Sequence, residues 1–432
     1  MANYSLRELE EWNNQIETLV RAAGLDCYEQ HFEICSYEDM LCYEAYLGMP
    51  SRYPHWSFGK AYERQKSFYQ KNLVGLPYEL VINSDPCIAY LMQDNTLLTQ
   101  ILTMAHVYGH NDFFKNNRLF KRDTRASMEV DMFKSHANRI REYIQDPSIG
   151  PEKVERILNA AHGLKFQTRR HGEIKEPDSI ECSEEGKEVI PLGLQEDLLA
   201  FLAEKGNLVD WERDLIHMVR KEALYFIPQM ETKIMNEGWA SYWHYQLLNA
   251  LHLPQGLHLE FLKRHNLVIC PHLGRINPYF VGFKIFEYLA KQPGGREKIM
   301  AIRSEDRDHS FIRRHLNQEL CSELHLFSYG IQGDNIVVTE ISNEDGWKKV
   351  RDDLANSVGL GSIPIVQPLS VEKGTLLLEH IYDNRELELK YAQETLKYVV
   401  DLWGGKVDLR TSLYNTPTII RCNEEKVVTT HG

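Results

Sequence analysis

The spacing of apolar residues changes once along this chain, and that change sets the fold class. Up to about residue 320 apolar positions recur every three to four residues, the period of a helix with one buried face. Leu6, Leu9, Trp12, Ile16, Leu19 and Val20 line one side of a helix over 5–23. The same reading predicts helices over 28–46, 57–72, 123–145, 151–166, 194–204, 209–226, 231–252 and 279–291. Ser84-Asp85-Pro86 offers an N-cap followed by proline, so a long apolar helix is expected from there to about residue 115. The polar, acidic stretch 170–192 reads as a surface loop or an insertion, and the His-, Pro- and Gly-rich stretch 253–278 as a loop. Beyond 320 the period falls to two. LHLFSYGI and NIVVTEI flank a turn at Gln332-Gly333-Asp334-Asn335, and IPIVQPLSV and TLLLEHIYD flank Glu372-Lys373-Gly374. With helices at 345–358 and 385–403 and a β-like tail, the order is ββα-ββα-ββ. The chain therefore reads as mainly α with a C-terminal α+β domain, divided into 1–319 and 320–432.

Charge and cysteine usage narrow the function. Lys plus Arg number 49 and Asp plus Glu 62 among 432 residues, a formal charge of −13. That balance argues against broad nucleic-acid binding, which needs a basic face. No apolar run approaches the ~18 residues of a membrane helix. The N-terminus is charged and helical in period rather than a signal peptide. The eight cysteines are scattered with no C-x-x-C pair, as for thiols in a reducing compartment, so a cytoplasmic protein is expected and a cysteine zinc site is not.

Two constellations carry chemistry. His106 and His110 are four apart in MAHVYGH, so on a helix they share one face and can reach one metal ion. Two hydrogen-bonded histidines in a helical core would give the same pattern. In NEGWASYWH, Glu237 and His244 are seven apart on one face, with Ser241 between them. A glutamate beside two tryptophans needs a metal, a cation or an arginine if buried. Glu129 and His136 repeat that spacing, as do Glu155 and His162, and Asp112 follows the His pair closely. The basic run Arg303, Arg307, Arg313 and Arg314 reads as a solvated face paired to acids, or a phosphate contact.

DPCIAYLMQDNTLLTQILTMAHVYGHNDFFKNN, IPQMETKIMNEGWASYWHY and INPYFVGFKIFEYL resemble the signature blocks of the stage V sporulation protein R (SpoVR) family, over nearly the whole chain. The resemblance implies a cytoplasmic bacterial protein tied to spore cortex formation. Relatives in bacteria that do not sporulate imply a wider stress or stationary-phase role. More distantly, the layout is similar to gluzincin-type zinc metallopeptidases, in which two His four apart on one helix are joined by a Glu from a later helix. This implies a helical, metallopeptidase-like N-terminal domain with a divalent metal, zinc first, held by His106, His110 and Glu237. Those peptidases carry a general-base Glu directly after the first His, and here that position is Val107. Asp112, Glu129 and His244 are the candidates for the missing catalytic group.

Three functions follow. The first is a metal-dependent hydrolase, an amidase or peptidase acting on a cell-wall precursor or a protein. The second is a non-catalytic regulatory or scaffold protein with a metal-stapled or vestigial site, binding a protein partner through its C-terminal domain. The third is an oxygenase with a two-His, one-carboxylate iron site.

Overall fold

A computed structural model describes residues 4–70, 79–169, 190, 192–271, 276–332 and 335–431. The proposed loop 170–192 and the turn at Gly333-Asp334 thus lie largely or wholly outside the described residues. The chain is mostly helical, with sheet concentrated after residue 326 and a small sheet near the N-terminus. No helix among the described residues is long and apolar enough to cross a membrane.

Contacts group the chain into two compact units, each built from two stretches. One comprises Met1–Lys134 and Pro228–Gly359, the other Ser135–Ile227 and Leu360–Gly432. The expected division at 319/320 concerns which pieces fold alone. The packing groups residues differently, because Leu320, Cys321, Leu324, Leu354 and Ala355 share the core cluster of the first unit.

The first unit is organised around the helix Leu97–Asn116. Every residue from Leu98 to Phe114 is buried, so this helix is enclosed on all sides rather than amphipathic. Helices Lys233–Ala250 and Pro278–Ala290 pack beside one another with almost no side-chain gap, and glycines explain how. A β-carbon on Gly238 would stand 2.3 Å from the backbone of Gly282, and one on Gly109 2.6 Å from Ala240 Cα. Only hydrogen at these positions lets the three helices approach so closely. Beside them lies a three-stranded sheet of β1 (Gln30–Cys35), β2 (Glu79–Ile82) and β3 (Cys87–Met92), in the order β1-β3-β2. A two-stranded antiparallel ribbon, β4 (Phe327–Gln332) and β5 (Asn335–Ile341), completes the unit.

Three expectations are corrected here. The helix expected from Ser84-Asp85-Pro86 does not begin there. Cys87–Met92 is instead the central strand β3, parallel to β1 and antiparallel to β2. A continuous apolar run buried on both faces has no period to read. The helix starts at Leu97, where the Thr96 hydroxyl accepts from Thr99 N. The helix expected over 28–46 is likewise β1 followed by Tyr37–Ala45, whose start is fixed by a Ser36/Asp39 capping box. Finally, 253–278 is not all loop, since Gln255–Val268 is a helix with Phe261 and His265 buried.

The second unit holds a five-stranded sheet ordered β10-β9-β8-β7-β6, from β6 (Val366–Glu372), β7 (Thr375–His380), β8 (Val407–Leu413), β9 (Thr416–Cys422) and β10 (Val428–His431). All neighbours are antiparallel except β7 and β8. That parallel pair needs a crossover, and the helix Leu389–Trp403 supplies it. The ββα-ββα-ββ order read from the sequence is present with one further strand, β10, at its end, and its first ββα part belongs to the other unit.

Candidate metal centre

His106 and His110 project from one face of the Leu97–Asn116 helix, as their spacing requires, and both are buried. Glu237 reaches the same point from the Lys233–Ala250 helix. Its Oε2 lies 3.5 Å from His110 Nε2 and 3.8 Å from His106 Nε2. A second carboxylate arrives from β2, where Glu79 Oε1 is 3.9 Å from His106 Nε2. One donor atom each from Glu79, His106 and His110 lies within 4.8 Å of the others. Two donors bound to one ion at about 2.1 Å cannot be more than about 4.2 Å apart, and the His110–Glu237, His106–Glu237 and His106–Glu79 pairs, at 3.5, 3.8 and 3.9 Å, meet that limit.

The hydrogen bonding around these groups aims them inward. His110 Nδ1 is 2.9 Å from Asn236 Oδ1, an oxygen that can only accept. His110 therefore carries its proton on Nδ1 and turns the Nε2 lone pair toward Glu237. Asn-Glu in sequence thus gives one residue that orients a histidine and one that faces it. His106 Nδ1 is 2.9 Å from His244 Nδ1, so its Nε2 also faces the centre. His106 Nε2 and Glu237 Oε2 are both buried, and neither has a hydrogen-bond partner among the described residues. Polar atoms left this way are expensive, and a cation between them satisfies both.

Electrostatics agree. Burial, helped by the neighbouring His106, pushes His110 down to about 4, so it is a neutral donor at physiological pH. Burial drives His244 far down as well. It pulls Glu237 upward, but the two histidines outweigh it and hold the carboxyl below its usual range. Glu79 goes the other way, raised by burial despite His106. Tyr279, at the start of Pro278–Ala290, stacks on His106 with ring centroids 6.0 Å apart and feels the charge of Glu237. The Glu237 carboxylate, then burial, keep that phenol protonated.

The remaining expected residues stand elsewhere. Asp112 is two positions beyond His110, about 200° round the helix. Its carboxylate is taken by Arg303 at 2.7 Å, Trp239 Nε1 at 2.9 Å and Asp26 N at 2.8 Å. Glu129 accepts from Arg125 N at 2.6 Å at the start of its own helix. Neither is brought to the histidines. His136 pairs with Glu222 in the second unit. The basic run is paired to acids, Arg307 with Glu231 and Arg314 with Asp306. Glu79, His265 and Tyr279 were not singled out by the sequence reading. Glu79 is a lone acid in a short strand, and only its position beside His106 marks it.

Comparison with known proteins adds the family. The family model described as SpoVR like protein matches residues 3–190 and 173–363, and the SpoVR-like C-terminal domain matches 370–413. The uncharacterized protein YcgB of Escherichia coli (strain K12) is 33% identical over 464 aligned positions, which cover 91% of this chain and 90% of that protein. No solved structure matches the chain, so the likeness to metallopeptidases rests on residue pattern alone. With the two models spanning both the helical part and the C-terminal sheet, the chain belongs to the SpoVR family.

Proposed function

We propose that this chain is a sporulation-associated, metal-dependent hydrolase of amidase or peptidase type. Its substrate is a cell-wall precursor or a protein, and its setting is cortex formation, or the stress response in relatives that form no spores. The observation that carries the reading is a pair of buried atoms, His106 Nε2 and Glu237 Oε2, that have no hydrogen-bond partner among the described residues and face each other across the site. In this reading His106, His110 and Glu237 hold a divalent ion, zinc in first place. Such an ion, when bound, polarises a carbonyl and lowers the pKa of a bound water.

The chain's own groups do the rest. Asn236 holds His110 in its ligand tautomer. Tyr279 stacks on the His106 ring. Val107 is fully buried and has no proton to exchange, so the general base comes from elsewhere. Glu79 fills that place. It is the second carboxylate at the centre, and burial raises its pKa toward the range useful for proton transfer. Asp112 and Glu129, with their oxygens engaged, serve packing and capping.

Metal analysis of the purified chain tests the centre. About one divalent ion per chain is expected, and none in a His106→Ala, His110→Ala double variant. Equal metal in both would remove the site. Glu79→Gln is expected to keep the metal and to fail in complementing a sporulation defect. A second reading is favoured by one observation, the valine where peptidases carry glutamate. It makes the chain a scaffold with a metal-stapled core and a protein-binding C-terminal region, and Glu79→Gln would then complement fully.

A further inference from the structure

Beyond His106 lies a row of imidazoles that the proposed chemistry does not use. His106 Nδ1 is 2.9 Å from His244 Nδ1, and His244 Nε2 is 2.8 Å from His265 Nδ1. All three rings are buried, His244 completely. They come from three helices, Leu97–Asn116, Lys233–Ala250 and Gln255–Val268. Aromatic rings wall in the far end, with Tyr245 and Phe283 at centroid distances of 4.6 and 5.0 Å from His265.

Each link joins two ring nitrogens, so one must carry hydrogen and the other a lone pair. In a chain of neutral imidazoles only two arrangements satisfy both links. In one, His106 donates from Nδ1 to His244, and His244 donates from Nε2 to His265. His106 then has its lone pair on Nε2, facing Glu237. In the other, every proton points the opposite way. His265 donates to His244, His244 donates to His106, and His106 carries hydrogen on Nε2, where no metal can bind it. The row is therefore a two-state element coupled to one ligand nitrogen.

We propose that His244 and His265 are positioning residues that lock His106 in its Nε2-ligand tautomer, and that metal loading sets the direction of the whole row. This deepens the proposed metal site and rests on it. His244 touches no substrate in this scheme. It acts through His106 by offering a lone pair at Nδ1 that cannot turn away, because the same ring is fixed at its other end by His265. Partners of this kind on metal-bound histidines typically change metal affinity by 10–100-fold.

The test uses the full chain, zinc alone as probe, and two readouts. Zinc affinity by competition with a chelator is compared for the wild type, His244→Leu, His244→Asn and His265→Leu, with each metal-free protein first shown to melt cooperatively. His244→Leu removes the acceptor and is expected to weaken zinc by about 10–100-fold. Asn places an oxygen near the former Nδ1, so His244→Asn recovers most of that loss, which a simple packing role would not produce. His265→Leu leaves His244 unanchored and gives a smaller fall. The second readout is nitrogen NMR of the histidine rings, in which zinc should drive His106 to the Nδ1–H form and His244 to the Nε2–H form. A wild type that binds no zinc overturns the metal reading itself. A wild type that binds zinc, beside a folded His244→Leu that binds it equally well, overturns the lock alone. If His244→Leu does not fold, His265→Leu with unchanged affinity and an unchanged His106 tautomer has the same force.

Discussion

The two compact units treat buried charge in opposite ways. In the second unit the buried acids Asp197 and Glu212 each meet a cation and a backbone donor. Asp197 receives Ala200 N at 2.9 Å and the guanidinium of Arg220 at 2.6 Å, and Glu212 receives Arg156 at 3.1 Å and Val209 N at 3.1 Å. In the first unit Asp112 is satisfied as thoroughly, by Arg303, Trp239 and Asp26. Six residues earlier on the same helix, though, His106 Nε2 has no hydrogen-bond partner among the described residues, and it lies across from a Glu237 Oε2 that has none either. One kind of buried charge is spent on holding elements together, and the other is held ready for something absent from the chain. The difference separates structural acids from a site without reference to family.

The most severe test of the division into units is truncation. The periodicity of the sequence proposes that 1–319 folds alone. The packing argues that a chain ending there loses Leu320, Cys321, Leu324, Leu354 and Ala355 from its core. Several such side chains at about 1.5–3 kcal/mol each approach the whole stability of a domain, about 5–15 kcal/mol. A fragment of 1–359 is thus expected to melt cooperatively at a higher temperature than one of 1–319. Equal melting would restore the boundary at 319/320.

Within the second unit, Asp197→Ala should cost about 3–5 kcal/mol in urea unfolding, because it strands Arg220 and removes the cap of the helix Leu198–Lys205. Zinc stoichiometry should not change. A loss of zinc would break the separation between structural acids and site.

Acid should act on the first unit through its histidines. Burial pushes His110 and His265 each down to about 4. In the unfolded chain a histidine titrates near ~6.5. Between these values the unfolded chain takes up protons that the folded chain refuses, so stability is intact above pH ~6.5 and falls as the pH drops toward 4. The full shift amounts to roughly 3 kcal/mol per histidine. Asp112 and Glu79, raised by burial, oppose this, so the check is a difference. Metal-free His265→Asn should lose less melting temperature between pH 7 and 5 than the wild type does.

Closer to the centre, Gly238→Ala places a methyl 2.3 Å from the Gly282 backbone, which must move away. A loss of about 1–3 kcal/mol is expected, together with weaker zinc binding, since Glu237 is the adjacent residue. Unchanged zinc affinity would show that helix spacing does not set the site.

How far the sequence foretold this depends on which residues carried a period. The HxxxH helix face and the Asn236-Glu237 pair were legible because helical spacing fixes direction, and the C-terminal hairpins because alternation does. β3 was read as helix because CIAYLM is apolar at every position and has no period. Glu79 and His265 were invisible for a different reason. Their roles come from strand pairing and from a helix hidden in a His- and Pro-rich stretch, neither of which leaves a spacing. Asp112 was read as a site residue because it is near in sequence, but two steps along a helix is the wrong side.

The smallest expected effect is on stability, and it is the most telling. Glu237→Gln keeps the shape of the side chain. It replaces an ionised oxygen that has no hydrogen-bond partner among the described residues with a neutral amide. If Glu237 were a structural acid like Asp197, that exchange would cost several kcal/mol, because a partner would be stranded. As a ligand awaiting a cation it has no such partner to strand. The metal-free Glu237→Gln protein should therefore unfold within about 1 kcal/mol of the wild type. Zinc should then separate them. Saturating the wild type at a hundred times its dissociation constant adds about 2.7 kcal/mol, and the variant, with a weakened site, should gain little. Urea unfolding of both proteins with a chelator and with zinc gives all four numbers. A variant that is strongly destabilised without metal, and gains as much from zinc as the wild type, would move Glu237 from the site to the framework.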